Sequence, residues 1–331
     1  MGNSLDDHEI RPVDLMKTCM ELHDKDLLLF DQAEFSSVNC PACESDSKST
    51  LLEKKKFHFV KCKNCSTVYV DPRPSEESVN NFYKASKFMD FWAKIFDETE
   101  NIRKEKIFKP RVNEVLNLLN EFGITDFDRL IDVGSGHGWF CELIKKEKSK
   151  SEIIAIEPSP ALAEKCRKIK DIIVLESTIQ QYNKTENTDV IVNFEVINLL
   201  HNPRNFLKSC FKILKKDGVI ILSTPNYMGL DIQILKQKSD YITPTFLNIF
   251  NINSIKILLK SIGFKKIQIK TPGLMDVKIV LNKLKSDEIK KENYPFFNML
   301  LEQNNERLID DFQELLQKYN MSSHMLIIAQ K

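Results

Sequence analysis

The sequence predicts an α/β fold in which a doubly wound, mainly parallel sheet follows a small cysteine-bearing module. Apolar residues and an acid, within residues 129–133, lead into a glycine-rich turn and an amphipathic stretch. Similar apolar runs recur along the chain with helical stretches between them, and two Cys-x-x-Cys pairs precede them all. Strands that alternate with helices are typical of a parallel sheet covered by helices on both faces.

The composition is that of a globular protein without a dominant charge. The 331 residues are 42% hydrophobic and 29% charged, a length that suits one large domain and a smaller one. Because 48 basic residues balance 47 acidic ones, no overall field favours nucleic acid or an anionic membrane as a partner. No apolar run has membrane-spanning length, and residues 1–3 begin no signal peptide. We therefore expect a cytoplasmic protein whose eight cysteines form no disulfides.

The cysteine-bearing module is assigned to residues 39–74, after an N-terminal segment, residues 1–38, that carries few signals. Its paired cysteines are Cys40, Cys43, Cys62 and Cys65. Each Cys-x-x-Cys turn presents two thiolates, and two such turns complete the tetrahedral set that zinc prefers. The alternating residues 57–60 and 67–70 are predicted to be paired strands. No open ligand position is indicated, so we predict a structural zinc ribbon.

A helical connector is predicted over residues 75–122. Ser75 can cap a helix whose first turn is acidic. Apolar side chains then recur at helical spacing: Val79, Phe82, Tyr83, Phe88, Phe91 and Trp92. This stripe is interpreted as a packing face, with a lid over a ligand cleft as the alternative. Residues 100–121 are predicted to continue as one long helix that ends at Gly123.

The glycine-rich turn distinguishes between classes of nucleotide ligand. Gly134, Gly136 and Gly138 follow the first predicted strand at the spacing G-x-G-x-G. Glycine lets a backbone come close to a ligand, and the free N–H groups of the following helix suit an anionic group. The dinucleotide pattern G-x-G-x-x-G would need glycine at position 139, where Trp139 stands. The turn therefore does not predict a dinucleotide site.

Six further strands complete the predicted sheet. They cover residues 153–157, 172–175, 189–195, 219–226, 263–269 and 324–329. The second strand ends at Glu157, where a carboxylate can accept both hydroxyls of a ribose. Helices are predicted over residues 199–214 and 254–261, the latter capped by Asn253. A helical insertion over residues 271–320 delays the last strand, which can therefore pair antiparallel with its predecessor.

Together with Asp132, the glycine turn resembles motif I of the class I S-adenosylmethionine (SAM) methyltransferases. Six stretches follow the pattern of one group of these enzymes in the same order: residues 129–141, 153–160, 189–203, 218–226, 246–264 and 323–331. That group acts in sugar and natural-product pathways and carries an N-terminal zinc ribbon. The resemblance implies a Rossmann-like, seven-stranded methyltransferase sheet with a terminal antiparallel hairpin in residues 123–331. It also implies an enzyme with SAM as cofactor and a structural zinc ion.

The resemblance implies a set of cofactor-binding residues at the ends of the predicted strands: Asp132, Gly134, Ser135, Gly136, Gly138, Glu157, Thr178, Ile179 and Phe194. The glycines would hold the methionine end of SAM, and Asp132 would order it. Glu157 would hold the ribose, while residues 178–179 would border the adenine. Phe194 and Glu195 would close over the sulfonium.

The resemblance does not supply a proton acceptor. Leu199 and Phe246 stand where related sequences often have histidine, so we expect that no single residue acts as an indispensable base. Candidates near the cleft are Glu195, His201, Tyr227 and Tyr241. Histidine has the pKa best suited to this role, and His201 is expected to be at most an auxiliary acceptor. His201 and Glu195 are the catalytic candidates.

The predicted function is methyl transfer from SAM to an oxygen or nitrogen of a small molecule or carbohydrate, such as a surface glycan or a natural-product precursor. Two alternatives remain open. One is an rRNA or tRNA methyltransferase, for which the ribbon offers a modest basic patch: Lys54, Lys55, Lys56, Lys61 and Lys63. The other is a SAM-binding protein that has lost catalysis, which the absent histidines permit. The sequence leaves the oligomeric state undetermined.

Overall fold

The structure is a computed structural model that describes residues 7–331, so the signal-peptide expectation for residues 1–3 lies outside the described residues. The strands are β1 (Lys48–Lys54), β2 (Phe57–Cys62), β3 (Val68–Val70), β4 (Arg129–Val133), β5 (Glu152–Ile156), β6 (Ile173–Leu175), β7 (Thr188–Phe194), β8 (Leu214–Pro225), β9 (Asn248–Ile249), β10 (Lys265–Lys270) and β11 (His324–Gln330).

The α-helices lie between and around these strands. They are α1 (Asp7–Ile10), α2 (Val13–Asp26), α3 (Glu76–Ala85), α4 (Lys87–Glu98), α5 (Glu100–Arg103), α6 (Lys109–Glu121), α7 (Trp139–Glu147), α8 (Pro160–Cys166), α9 (Pro203–Ile213), α10 (Leu230–Leu235), α11 (Ile252–Ile262), α12 (Asp276–Lys285), α13 (Pro295–Gln303) and α14 (Glu306–Lys318). A π-helical turn, Lys104–Phe108, joins α5 to α6.

The central sheet has seven strands in the order β10-β11-β8-β7-β4-β5-β6. β4 pairs parallel with both β5 and β7, and β7 pairs parallel with β8. Within the described chain, β11 is the strand of this sheet that runs antiparallel to its neighbours, β8 and β10. The predicted seven-stranded sheet with a terminal antiparallel hairpin is confirmed.

The inner strands carry apolar residues on both of their sides because both faces of the sheet are covered. Ile131 and Ile191 pack in the layer that contains α9 and α11. Leu130 and Val190, one residue earlier in each strand, pack in the opposite layer with α6 and α7. Successive side chains of a strand point to opposite faces, so each strand contributes to both cores.

The cysteine-bearing module forms a second sheet in the order β1-β2-β3-β9. The predicted pairing of residues 57–60 with 67–70 is observed as β2 against β3. β1 was not predicted, and β9 comes from a much later part of the chain. Val68 lies opposite Ile249 in the β3–β9 pair, and the N–H of Val70 donates to the carbonyl of Leu247 at 3.1 Å. The module is therefore hydrogen-bonded into the main domain.

The connector is helical as predicted, but its helices break at other positions. α3 and α4 are separate because the Ser86 side chain caps α4, accepting from the N–H of Met89 at 3.1 Å. The same hydroxyl donates to the Asp26 carboxylate at 2.8 Å, which ties the break to α2. The long helix predicted over residues 100–121 is observed as one uninterrupted helical stretch, in which the π-helical turn joins α5 to α6.

Two later helices begin at caps other than those predicted. α11 starts after Asn251, whose side chain accepts from the N–H of Ser254 at 2.9 Å, and the predicted cap Asn253 lies in its first turn. α9 begins at Pro203 and not at residue 199. Asn202 caps it, and the fixed φ of proline suits the first helical position.

The insertion over residues 271–320 contains α12, α13 and α14, in agreement with its predicted helical character. With Leu235 of α10 these helices bury an apolar cluster: Val277, Val280, Leu281, Leu284, Phe297, Leu300, Ile309 and Leu316. Asp276 connects the insertion to the segment that leads into β11, because its carboxylate accepts from the Ser322 hydroxyl at 2.6 Å. Among residues 7–331, no helix is both long enough and apolar enough to cross a membrane.

Candidate functional site

The glycine turn lies at the carboxyl end of β4, beside the ends of β5 and β7. This edge is where doubly wound sheets bind their ligands. Gly134, Gly136 and Gly138 all have left-handed backbones, with φ of 73°, 57° and 74°. Because other residues rarely adopt this conformation, the turn needs glycine at each of the three positions.

The space around the three glycines assigns them different roles. A Cβ atom at Gly134 would lie 2.5 Å from Cγ2 of Val196, and one at Gly138 would lie 2.6 Å from Cδ1 of Ile169. At Gly136 a Cβ atom would meet no described atom within 4 Å. Gly134 and Gly138 therefore permit close packing inside the protein, whereas Gly136 faces open space at the ligand edge.

Asp132, the penultimate residue of β4, carries a carboxylate that the protein satisfies only in part. Its side chain is buried, and its Oδ2 accepts from the Cys141 thiol at 3.4 Å. Its Oδ1 is buried and has no hydrogen-bond partner among the described residues. Burial raises the pKa of Asp132 to about 7. A bound cation or N–H donor would satisfy this oxygen, and the ammonium of a methionine group meets that requirement.

Glu157, directly after β5, is connected to the glycine turn. Its carboxylate accepts from the N–H of Gly136 at 2.8 Å and from the N–H of Ser159 at 2.9 Å. Each bond uses a different oxygen, so both oxygens keep a lone pair for ribose hydroxyls. Beyond β6, Ile179 is buried while Thr178 is exposed at the start of a short 3₁₀ turn. The ribose contact of Glu157 and the adenine contacts of Thr178 and Ile179 stay predictions.

Residues 68–269, more than half of the chain, match the family described as a methyltransferase domain. The chain belongs to this methyltransferase family. Its seven-stranded sheet, with β11 antiparallel at one side, is the fold that the resemblance implied.

Individual relatives of this methyltransferase are distant. It is 25% identical over 147 residues to a carboxy-S-adenosyl-L-methionine synthase of Nautilia profundicola, covering 42% of this chain and 62% of that protein. It is 26% identical over 133 residues to a malonyl-[acyl-carrier protein] O-methyltransferase of Bacillus cereus, covering 39% and 48%. The chain thus spans about half the length of these relatives.

One solved structure similar to this methyltransferase is a SAM-dependent methyltransferase from Thermotoga maritima. The TM-score is 0.47 at 19% sequence identity, and the match covers 72% of this chain and 98% of the other.

The connector helix α4 packs on the glycine turn of the methyltransferase. The Phe96 ring stacks on His137 and Trp139, with centroid distances of 5.4 and 6.0 Å. Asp97, the next residue, pairs with Lys165 of α8 at 2.6 Å. Trp92 of the predicted aromatic stripe lies 5.7 Å from Phe96 between ring centroids, so the stripe continues into this packing contact. The contacts of Phe96 and Asp97 also hold α4 next to the glycine turn, where the cofactor-binding residues are predicted.

Glu195 lies just beyond β7 and has a left-handed backbone with φ of 59°. Its Oε1 accepts from the Ser223 hydroxyl at 2.7 Å and lies 3.3 Å from Nδ1 of His324. The preceding residue, Phe194, is covered by the Arg111 guanidinium at 4.7 Å from the ring centroid. The structure therefore surrounds Glu195 with polar groups from β8, β11 and α6.

His201, the other catalytic candidate, lies against the segment that leaves the ribbon. Its backbone carbonyl accepts from Arg73 at 3.1 Å, and its buried Nδ1 has no hydrogen-bond partner among residues 7–331. Burial lowers the pKa of His201, and the Arg73 guanidinium lowers it further. The contacts found for His201 and Glu195 are with different groups, so the structure does not pair them.

The sequence analysis missed three polar residues of this edge: Arg111, Ser223 and His324. Arg111 lies in α6, which the sequence indicates only as an amphipathic helix. Ser223 and His324 lie within predicted strands, Ser223 before the polar Thr224 and His324 before a run of apolar residues. A polar residue at the end of a buried strand on the ligand edge was the signal that could have identified Ser223 and His324.

The four cysteines of the ribbon come together as predicted. Their Sγ atoms all lie within 4.8 Å of one another. The Cys40–Cys65 and Cys43–Cys62 pairs have Sγ–Sγ distances of 3.5 and 3.6 Å. A tetrahedral zinc with bonds of about 2.3 Å places its sulfurs roughly 3.8 Å apart. The donor set therefore fits a tetrahedral metal, and no disulfide is formed between these cysteines.

Proposed function

We propose that this chain transfers a methyl group from SAM to an oxygen or nitrogen of a small-molecule or carbohydrate acceptor. One observation carries the proposal: a partly unsatisfied buried carboxylate, an open glycine turn and a second carboxylate lie together on adjacent strand ends. These are Asp132, Gly136 and Glu157. When bound, SAM supplies a methyl group that a positive sulfur has already activated.

The residues of the chain have separate tasks in this proposal. Asp132 binds the ammonium of the methionine end, and Glu157 binds the ribose. Phe194 and Glu195 limit the access of water to the sulfonium side. Holding the two reactants in line contributes about 7–11 kcal/mol when the geometry is good.

A small acceptor is favoured over RNA by charge and by the nature of the relatives. Basic and acidic residues number 48 and 47, and the lysines of the ribbon form only a local patch. One relative is named as an enzyme that methylates an oxygen of a malonyl group. The resemblance of the ribbon and its exit to sugar and natural-product enzymes supports a carbohydrate or related metabolite.

We also propose that the four ribbon cysteines bind one structural zinc ion. The ribbon (39–74), the connector (75–122) and the methyltransferase domain (123–331) are the proposed units. Cys40, Cys62 and Cys65 are buried, and only Cys43 is partly exposed. A site closed in this way suits a metal that stabilises the fold and leaves no position for a substrate.

The experiment that tests the function follows the methyl label. The chain is incubated with SAM labelled in its methyl group and a cell extract that is then separated into small molecules, RNA and protein. We expect label in the small-molecule fraction, with none transferred by the Gly136→Val variant. Label confined to RNA would support the nucleic-acid alternative, and label in no fraction would support a binding protein without catalysis.

A further inference from the structure

A histidine that the sequence analysis did not select lies at the ligand edge of the sheet. His324 is the first residue of β11 and pairs with Pro225, the last residue of β8. Because β11 runs antiparallel to β8, its first residue lies at the edge where β7 and β8 end. This is also the edge that carries the glycine turn and Glu195.

A carboxylate lies beside the imidazole of His324, and this carboxylate is in turn hydrogen-bonded to a serine. Nδ1 lies 3.3 Å from Oε1 of Glu195, and the same oxygen accepts from the Ser223 hydroxyl at 2.7 Å. The side chains of His324 and Glu195 are 25% and 37% exposed, so both border open space. In the described part of the chain, Nε2 of His324 has no hydrogen-bond partner.

We propose that His324 is the catalytic base of this methyltransferase, and that its acceptor is a hydroxyl group. Glu195 is the positioning residue, because a carboxylate that accepts from Nδ1–H leaves Nε2 with a free lone pair. This inference rests on the proposed function and narrows its acceptor to oxygen. His324 provides the imidazole that is missing at positions 199 and 246. The proposal replaces the expectation that no single residue acts as an indispensable base.

The proton and electron balance of the step is simple. The acceptor hydroxyl gives its proton to Nε2 of His324, and its oxygen forms a bond to the methyl carbon. The carbon–sulfur bond breaks with its electron pair going to sulfur, so that S-adenosylhomocysteine leaves as a neutral thioether. The imidazolium that results is stabilised by the Glu195 carboxylate and returns its proton to solvent after the products leave.

Burial is the main reason that the imidazole of His324 is neutral and ready to accept a proton. Burial lowers the pKa of His324, and the Arg111 guanidinium also lowers it. The carboxylates of Glu195 and Asp276 act in the opposite direction and raise this pKa. A histidine with a lowered pKa is unprotonated at pH 7, which a base requires before the reaction begins.

His201 differs from His324 in what faces its Nδ1 atom. This buried nitrogen has no hydrogen-bond partner among the described residues, whereas Nδ1 of His324 lies 3.3 Å from the Glu195 carboxylate. His201 is therefore a matched control: a histidine with a lowered pKa that lacks a carboxylate at Nδ1.

The decisive experiment measures which ring nitrogen of His324 carries the proton, and it needs no methyl acceptor. The protein is labelled with ¹⁵N-histidine and saturated with S-adenosylhomocysteine. The His324→Gln variant lacks one of the six histidine signals, which identifies the signal of His324. We expect the Nδ1–H tautomer for His324, although Nε2–H is the usual form in solution. In the Glu195→Gln variant the pKa of His324 should fall, because the carboxylate that raises it is gone. An Nε2–H tautomer, or an unchanged pKa in Glu195→Gln, would overturn the proposal.

Kinetics separate a catalytic role from a structural one. With a mixture of small phenols and alcohols as acceptor probe, His324→Gln should lower the rate of S-adenosylhomocysteine formation about 10²–10⁴-fold. His201→Ala should lower the same rate about tenfold or less. SAM affinity should stay within about threefold of wild type in both variants, since neither side chain binds the cofactor. If wild type fails to bind SAM, the proposed function is wrong. If SAM binds and His324→Gln keeps its rate, only the base is wrong.

Discussion

The Gly136→Val variant is expected to lose SAM binding while its fold is retained. In the wild type, a Cβ atom at this position meets no described atom within 4 Å, so the protein itself has room for a side chain. That room lies at the ligand edge, and valine would fill it. The backbone N–H of Gly136 also donates to Glu157, so displacement of the turn disturbs the ribose contact. Titration calorimetry with S-adenosylhomocysteine should show a loss of at least about a hundredfold, or roughly 2.7 kcal/mol.

Gly123→Val is the matched control for this substitution. Gly123 follows α6 with φ of 79°, and a Cβ atom there also meets nothing within 4 Å. Both variants therefore force a branched residue into the left-handed region at a similar cost in stability, about 1–2 kcal/mol. Only Gly136 faces the proposed cofactor. Equal losses of affinity in the two variants would mean that backbone strain, and not the occupied space, is responsible.

Removal of the proposed zinc is expected to destabilise the whole chain and not the ribbon alone. The carbonyl of Cys65 accepts from the Asn251 side chain at 3.0 Å, and Asn251 caps α11 in the main domain. The carbonyl of Ala42 accepts from Arg204 of α9 at 2.9 Å. We expect Cys65→Ser to lose its one equivalent of zinc and at least about 3 kcal/mol of stability. For a domain of this size that lowers Tm by roughly 6–12 °C.

Cys19→Ser serves as the control for this prediction. Cys19 is as buried as Cys65 but lies in α2, outside the cysteine cluster. Its replacement should leave one equivalent of zinc in place, as measured by metal analysis of protein purified without chelator. The zinc assignment would be refuted by wild-type protein that contains no zinc under these conditions.

The sequence predicted the features that arise from local patterns. The strands of the central sheet are continuous apolar runs, and β11 could be placed because it follows a long insertion after β10. The glycine turn and the two Cys-x-x-Cys pairs have fixed spacings, so their geometry followed directly. Asp132 and Glu157 could be selected because each is an acid that follows an apolar run of the sequence.

Features that depend on distant parts of the chain could not be predicted in the same way. β9 has only two residues, and it forms because Val68 and Tyr69 offer an open strand edge. The break at Ser86 depends on Asp26, which lies 60 residues earlier. The polar neighbours of His324 are Glu195 and Ser223, which lie at the ends of other strands. Contacts between residues so far apart cannot be predicted from the spacing of residues along the sequence.

The central claim, that this chain binds SAM at the glycine turn, is tested most directly by calorimetric titration of the wild-type protein. SAM, S-adenosylhomocysteine and NAD are titrated in parallel under the same conditions. The account predicts that the two adenosyl ligands bind at one site per chain and that NAD does not bind, because Trp139 stands where a dinucleotide turn needs glycine. Preferential binding of NAD, or no binding of either adenosyl ligand, would contradict it.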